Sequence, residues 1–321
     1  MSRPNFRAIY ESTQSKEKPM TAVECLKEFR LDYDIKPAPV FFKTPEGGYK
    51  VIHGRFSQAN INSRSGEAVG IVSPRYFILQ NRDCFKFMDD LVKSSKLRYT
   101  GAGHFQGGRL VWIQAKLPTD LLVGPKQGDD RVEQKLTLVT SHDGSFPLSL
   151  MYTPNRLVCM NQLVPSKRAI TIKHSIRFQS HISEARKVLH LTLDFFKDFS
   201  ASVQTMATRK LNTEQTTRYF NQVLQITKDS DATEQTLQKR ETLFQLLEKS
   251  DGAQLPASRG TLWGAYNAVT FFADHTIARN QMGDQLVGRE EQLNTLRSSW
   301  MGAPASLKAR AYSEALELVK N

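Results

Sequence analysis

The sequence predicts an α+β fold: a basic, β-rich amino-terminal domain of antiparallel strands with a helix between them, then a mostly α-helical carboxy-terminal half. Three observations carry this. Apolar and polar residues alternate with period two through much of 41–180, the apolar spacing becomes three-four from His181 onward, and the excess positive charge stays in the first half. Residues 1–180 hold 27 Lys/Arg and 16 Asp/Glu, a net of +11, whereas 181–321 hold 17 and 16, a net of +1. The division that follows is an arm with a short helix over 1–40, a basic α+β core over 41–180 and a helical region over 181–321 that packs or oligomerises.

Taken in order, "AVECLKEFRL" has the spacing of a short amphipathic helix. "PVFFKTPEGGYKVIHGRFS" predicts two short strands around the turn Glu46-Gly47-Gly48, and "GEAVGIVSPRYFILQN" another strand pair, broken where Pro74 cannot donate to a ladder. "RDCFKFMDDLVKS" returns to helical spacing through Phe85, Met88 and Leu91. "RYTGAGHFQGGRLVWIQAKL" reads as a hairpin turning at Gln106-Gly107-Gly108, with Val111, Ile113, Ala115 and Leu117 facing a core. Arg109, Trp112, Gln114 and Lys116 are then the candidates for an exposed face. "QKLTLVTSHDGSFPLSLMYT" and "RAITIKHSIRFQS" supply further strands. From His181 a long amphipathic helix runs through Phe196, Phe199, Val203 and Met206, and Asn212 with Gln215 forms a capping box opening the next. "ATEQTLQKRETLFQLLEKSDG", "TLWGAYNAVTFFADH" and "PASLKARAYSEALELV" complete the helical series. Trp263, Tyr266, Val269 and Phe272 share one apolar face, which reads as core.

Charge and spacing limit the function classes. No run approaches the roughly 18 uncharged apolar residues of a membrane span, and the start lacks the apolar stretch of a secretory signal, so the expected location is the cytoplasm. Cys25, Cys84 and Cys159 are far apart and belong to no CxxC pair, which makes them small buried hydrophobes. Gly101, Gly103 and Gly107 are spaced one residue too wide for a dinucleotide fingerprint, and a strand pattern follows them in place of a helix. No acid-base pair, HExxH pair or metal-ligand set stands out, so the expectation is a protein without catalysis and without a cofactor. Between Asp143 and Glu184 there is no acid, yet Arg156, Lys167, Arg168, Lys173 and Arg177 all lie there, a pattern that draws polyanions.

Four stretches, "VGIVSPRYFILQNRDCFKFMDDLV", "RLVWIQAKLP" with the later "SHDGS", "TLWGAYNAVTFFADH" and "LRSSWMGAPASLKARAYSEAL", resemble in this order a phage/plasmid-like family catalogued as a domain of unknown function. The resemblance implies a cytoplasmic protein of phages, plasmids or integrated elements, with a role in genome maintenance. Over residues 68–150 the arrangement is also similar to the core of single-strand annealing proteins of the Rad-fifty-two, RecT and Red beta kind, through Arg75, Asn81, Gly107, Gly108, Asp143 and Gly144. That similarity implies a basic groove over a sheet, holding one DNA strand for its complement, and subunits assembled into a ring or filament.

The expectation is therefore a protein that binds single-stranded DNA, with RNA as the alternative, and anneals it. Its candidate contacts are Arg75, Tyr76, Arg98, Arg109, Trp112, Lys116, Lys167, Arg168, Lys173 and Arg177: cations for phosphates, rings for stacking. Two rivals remain open at this point, a phage structural or host-interaction protein whose helical half binds protein, and a metal-dependent nucleic-acid-processing enzyme whose site converges only in the fold.

Overall fold

A computed structural model describes residues 14, 20–94, 96–124, 130–163, 170–175, 177, 191–277 and 289–320. In chain order its first part holds α1 (Ala22–Glu28), β1 (Ile35–Pro39), β2 (Phe41–Lys43), β3 (Tyr49–Val51), β4 (Gln58–Asn62), β5 (Ala68–Val72), α2 (Asn81–Ser94), β6 (Arg98–Phe105), β7 (Leu110–Lys116), β8 (Leu121–Val123), β9 (Asp130–Glu133), β10 (Lys135–Ser141), β11 (Leu148–Tyr152), β12 (Asn155–Arg156) and β13 (Ile170–Ile172). Then come α3 (Leu191–Thr208), α4 (Thr213–Leu224), α5 (Glu234–Lys249), α6 (Leu262–Phe271), α7 (Arg289–Met301) and α8 (Ala303–Lys320). This is the α+β arrangement that the change of period predicts.

An antiparallel sheet in the order β13-β11-β10-β7-β6 forms the centre, and a smaller sheet, β1-β4-β5, packs at one of its ends. The turn between β6 and β7 is Gln106–Gly108, where Gly107 (φ +65°) and Gly108 (φ +97°) accept the left-handed backbone that closes it. At the free edge of this sheet, Gln14 bridges Gly101 and Met20 bridges Tyr99. β2 and β3 form a separate hairpin in register Phe41↔Val51, Phe42↔Lys50 and Lys43↔Tyr49, around Gly47.

Both faces of the large sheet are covered. One carries Val111, Ile113, Ala115, Leu136, Leu138, Leu148 and Leu150 against Cys84, Phe85 and Met88 of α2 and a continuous apolar cluster that extends into α3, α6 and α8. The other carries Leu110, Trp112, Val139 and Met151 against Leu296 and Trp300 of α7. The rest of that second face is polar and closed on itself: Gln114 donates to Thr137 Oγ1 at 2.8 Å, Thr137 meets Thr153 at 2.5 Å, and Gln14 donates to Gln114 at 3.1 Å.

Helix α6 is buried from Leu262 through Thr270, as a helix apolar on all sides must be. Two buried ion pairs fix it to its surroundings. Asp130 accepts from Trp263 Nε1 and Arg156 Nε, both at 2.8 Å, and Arg156 continues to Ser258 Oγ at 2.7 Å and the Gly252 carbonyl at 2.9 Å. On the π-helical turn that extends α6, Asp274 accepts from Lys308 and Ser299 at 2.6 Å each, and its other oxygen from the Gln162 amide at 2.8 Å. The capping box at Asn212 and Gln215 is present, with bonds of 2.8 and 3.0 Å.

Two sequence expectations change. No second strand follows Pro74: the Tyr76 amide turns back onto the Ser73 carbonyl at 2.8 Å, and the Gln80 side chain takes both polar groups of Ile35, at 2.8 and 2.9 Å. A side-chain amide there supplies what a ladder partner would. The strand read over 168–180 shortens to Ile170–Ile172, and the part of the long helix over 181–190 lies outside the described residues.

Candidate nucleic-acid interface

The register of the large sheet sorts the candidate residues by end. Leu110 opposes Ser141 and Phe105, and Leu148 opposes Ile172, so the 106–109 turn, the 142–147 connection and Lys173 all lie at one end. Arg98 opposes Lys116 and Lys116 opposes Lys135, so these stand at the other end, roughly 20–25 Å away along the strands.

The first end is a firmly built rim. Asp143 accepts from the Ser145 amide at 2.9 Å, Gly144 takes φ +77°, and the Ser141 hydroxyl donates to the Phe146 carbonyl at 2.7 Å. The small sheet closes onto it: Asn60 donates to the His142 carbonyl at 2.7 Å, and a Cβ on Gly70 would lie 2.4 Å from the Asp143 Cα, an approach only glycine permits. Tyr76 donates to the Ser141 carbonyl at 2.6 Å and stacks on His174 with ring centroids 4.9 Å apart. The half-buried Tyr76 thus ties the segment after β5 to the segment after β13. Burial pushes its hydroxyl pKa well above the usual value.

Two histidines sit in this rim as neutral bases. Asn81 donates to the Leu31 carbonyl at 2.9 Å, which turns its oxygen toward His142 Nε2 at 3.0 Å. Burial, with the nearby His174 adding to it, lowers the His142 pKa to about 3. His174 stands 3.1 Å from the Phe77 carbonyl and 2.9 Å from Thr140 Oγ1, and burial lowers it to about 4.

On this scaffold Arg75 and Arg109 are exposed, as is Lys173, and among the described residues no carboxylate pairs with any of the three. Arg177 is exposed a few residues beyond β13. Lys167 and Arg168 lie outside the described residues.

Two candidates are corrected. Trp112 is 0% exposed and meets Trp300 edge-on at 5.1 Å, so no base can reach its indole; α7 covers the face that strand alternation left open. Lys116 is held between Asp120 at 3.0 Å and Glu133 at 2.8 Å, the latter also bonded to Lys135 at 2.7 Å. Burial works to raise the Glu133 pKa, but Lys135 and Lys116 outweigh it and hold the carboxyl low. A phosphate would have to displace two carboxylates to reach Lys116. Gln114, also read as a candidate for the exposed face, is 0% exposed as well. Arg98 is exposed, at the end away from the rim.

One surface carries residues that the sequence did not single out. Every residue of β2 and β3 is exposed, with Phe41 at 52%, Phe42 at 47% and Tyr49 at 73%; Phe56 follows at 60% under the Arg55 guanidinium. The apolar run "VFF" suits a strand buried on both faces, and nothing in it says that both faces meet solvent.

Among the described residues no group of three or more His, Cys, Asp or Glu is gathered to hold a metal ion, and no helix is long and apolar enough to cross a membrane. Residues 68–300 match a family model described as domain of unknown function (DUF932). No curated protein and no solved structure matches the chain.

Proposed function

The chain belongs to this DUF932 family, and from that premise we propose that it binds a single nucleic-acid strand through its phosphates and presents it for annealing to a complement. The observation that carries this reading is the rim: Arg75, Arg109 and Lys173, from three separate segments, stand exposed at one end of the sheet. The +11 excess of residues 1–180 adds a field that concentrates polyanions around them. Bonds from Asn60 and Tyr76 hold the rim's backbone in place, so only the cation side chains themselves are ordered when a strand arrives. Annealing makes and breaks no covalent bond, and it asks only for a held strand with its bases free. The resemblance read in the sequence of 68–150 to single-strand annealing proteins points to the same role.

Fluorescence anisotropy of the full chain with a labelled single strand, across a salt series and beside the matching duplex, tests this. Tight single-strand binding with a steep salt slope is the expected result. Arg75→Glu, Arg109→Glu and Lys173→Glu combined should flatten the log-log slope by about 2, at roughly 0.7 for each phosphate that is no longer neutralised. Equal, weak retention of both nucleic acids, or no binding even at low salt, overturns the reading.

A further inference from the structure

We infer that the 41–51 hairpin is a base-stacking element, in which Phe41, Phe42 and Tyr49 take the exposed bases of the strand that the rim holds. The inference rests on the proposed strand binding and adds a site that the rim does not contain. Large rings on both faces of one small ribbon, Phe41 and Tyr49 on one and Phe42 on the other, with Phe56 on its flank, present apolar area that a lone chain rarely leaves uncovered.

Charge selects the occupant. Across 36–56 the hairpin and its flanks carry Lys36, Lys43, Lys50 and Arg55, all exposed, against the single acid Glu46. Register then interleaves rings and cations: Lys50 opposes Phe42, and Lys43 opposes Tyr49. An apolar protein partner would leave these ammonium groups desolvated and unpaired, whereas a nucleic-acid strand satisfies both sets at once, bases on rings and phosphates on cations. Any base offers a π face, so such a ribbon holds a strand irrespective of sequence.

Position agrees with charge. The hairpin springs from the Pro39/Gln58 end of the small sheet, where Gln58 opposes Val72, three residues before Arg75. Two strand spacings, roughly 10 Å, separate its root at Pro39 from Val72, and the rim cation follows three residues on. A strand leaving the rim therefore meets the rings next.

The test uses the full chain with Phe41→Thr, Phe42→Thr and Tyr49→Thr combined, since threonine keeps strand propensity while removing the rings. The probes are a labelled oligonucleotide of mixed sequence and an abasic strand of equal length. The variant should bind the mixed strand on the order of tenfold more weakly for each ring engaged, with an unchanged salt slope. It should also lose the wild type's preference for the mixed strand over the abasic one. A second variant, Lys43→Glu with Lys50→Glu, keeps the rings; its slope should fall by about 1.4 while the preference for bases remains. Wild-type affinity in the ring variant, or an unchanged slope in the lysine variant, overturns the inference and leaves the rim reading standing. Failure of the wild type to bind either probe overturns both. A ring variant that binds normally but changes from dimer to monomer in sedimentation makes the hairpin an interface between copies of this chain, which also overturns it.

Discussion

His142 and His174 link the rim to pH. Both have folded pKa values below the ordinary 6.5, at about 3 and about 4, because burial penalises the imidazolium. The neutral form is the one that fits, so their contribution to stability is complete above pH 6.5 and is lost as pH falls from there toward the folded values. At pH 5 the unfolded chain has taken up protons that the folded chain refuses, a loss of about 2 kcal/mol for each histidine. Urea unfolding at pH 7 and pH 5 should show this loss, and His174→Gln should reduce its slope. A pH-independent midpoint would mean that the rim opens to water around the rings. The second nitrogen of His142 is buried without a partner, so protonation there adds a charge with nowhere to donate.

At the scale of elements, α7 determines what the large sheet can do. It lays Leu296 and Trp300 over Phe105, Leu110 and Trp112, and so converts a half-exposed pattern into a second core. Trp300→Ala should destabilise the chain by about 3–5 kcal/mol, and the newly wetted Trp112 should shift its fluorescence to the red; an unmoved spectrum would show that other atoms fill the gap. Strand alternation was legible around Trp112, and it correctly set Val111 and Ile113 on one side and Trp112 and Gln114 on the other. What it could not carry was the cover, because α7 comes far along the chain and its packing on the sheet leaves no mark on the local period. The strands around Phe41 and Phe42 were legible too, but not that both of their faces stay exposed among the described residues. Local chemistry read more securely: the Asn212–Gln215 capping box and the glycine turn at 106–108 are fixed by neighbours in sequence, and both are present. Of the candidate residues, the exposed Arg75, Arg109 and Lys173 stand together at the rim, and the pairing partners that occupy Lys116 come from Asp120 and from β9.

On the scale of the whole molecule, sheet and helices share one apolar cluster, so the basic and helical parts cannot be loosened separately without exposing it. The buried Asp130–Arg156 and Asp274–Lys308 pairs reinforce that union from opposite ends of α6: each leaves an uncompensated charge if one partner is removed, a penalty of about 3–5 kcal/mol. One consequence concerns the free edge at β6. An open edge is a template on which a second chain can add a strand, the route by which sheet proteins aggregate or polymerise. Gln14 and Met20 already sit on that edge, so the chain blocks its own template, and neighbouring copies would have to meet through some other surface. Removing residues 1–20 should lay the edge bare and give light scattering that rises with protein concentration. A truncated chain that stays as clear as the full one would mean that the edge is guarded by something other than its own beginning.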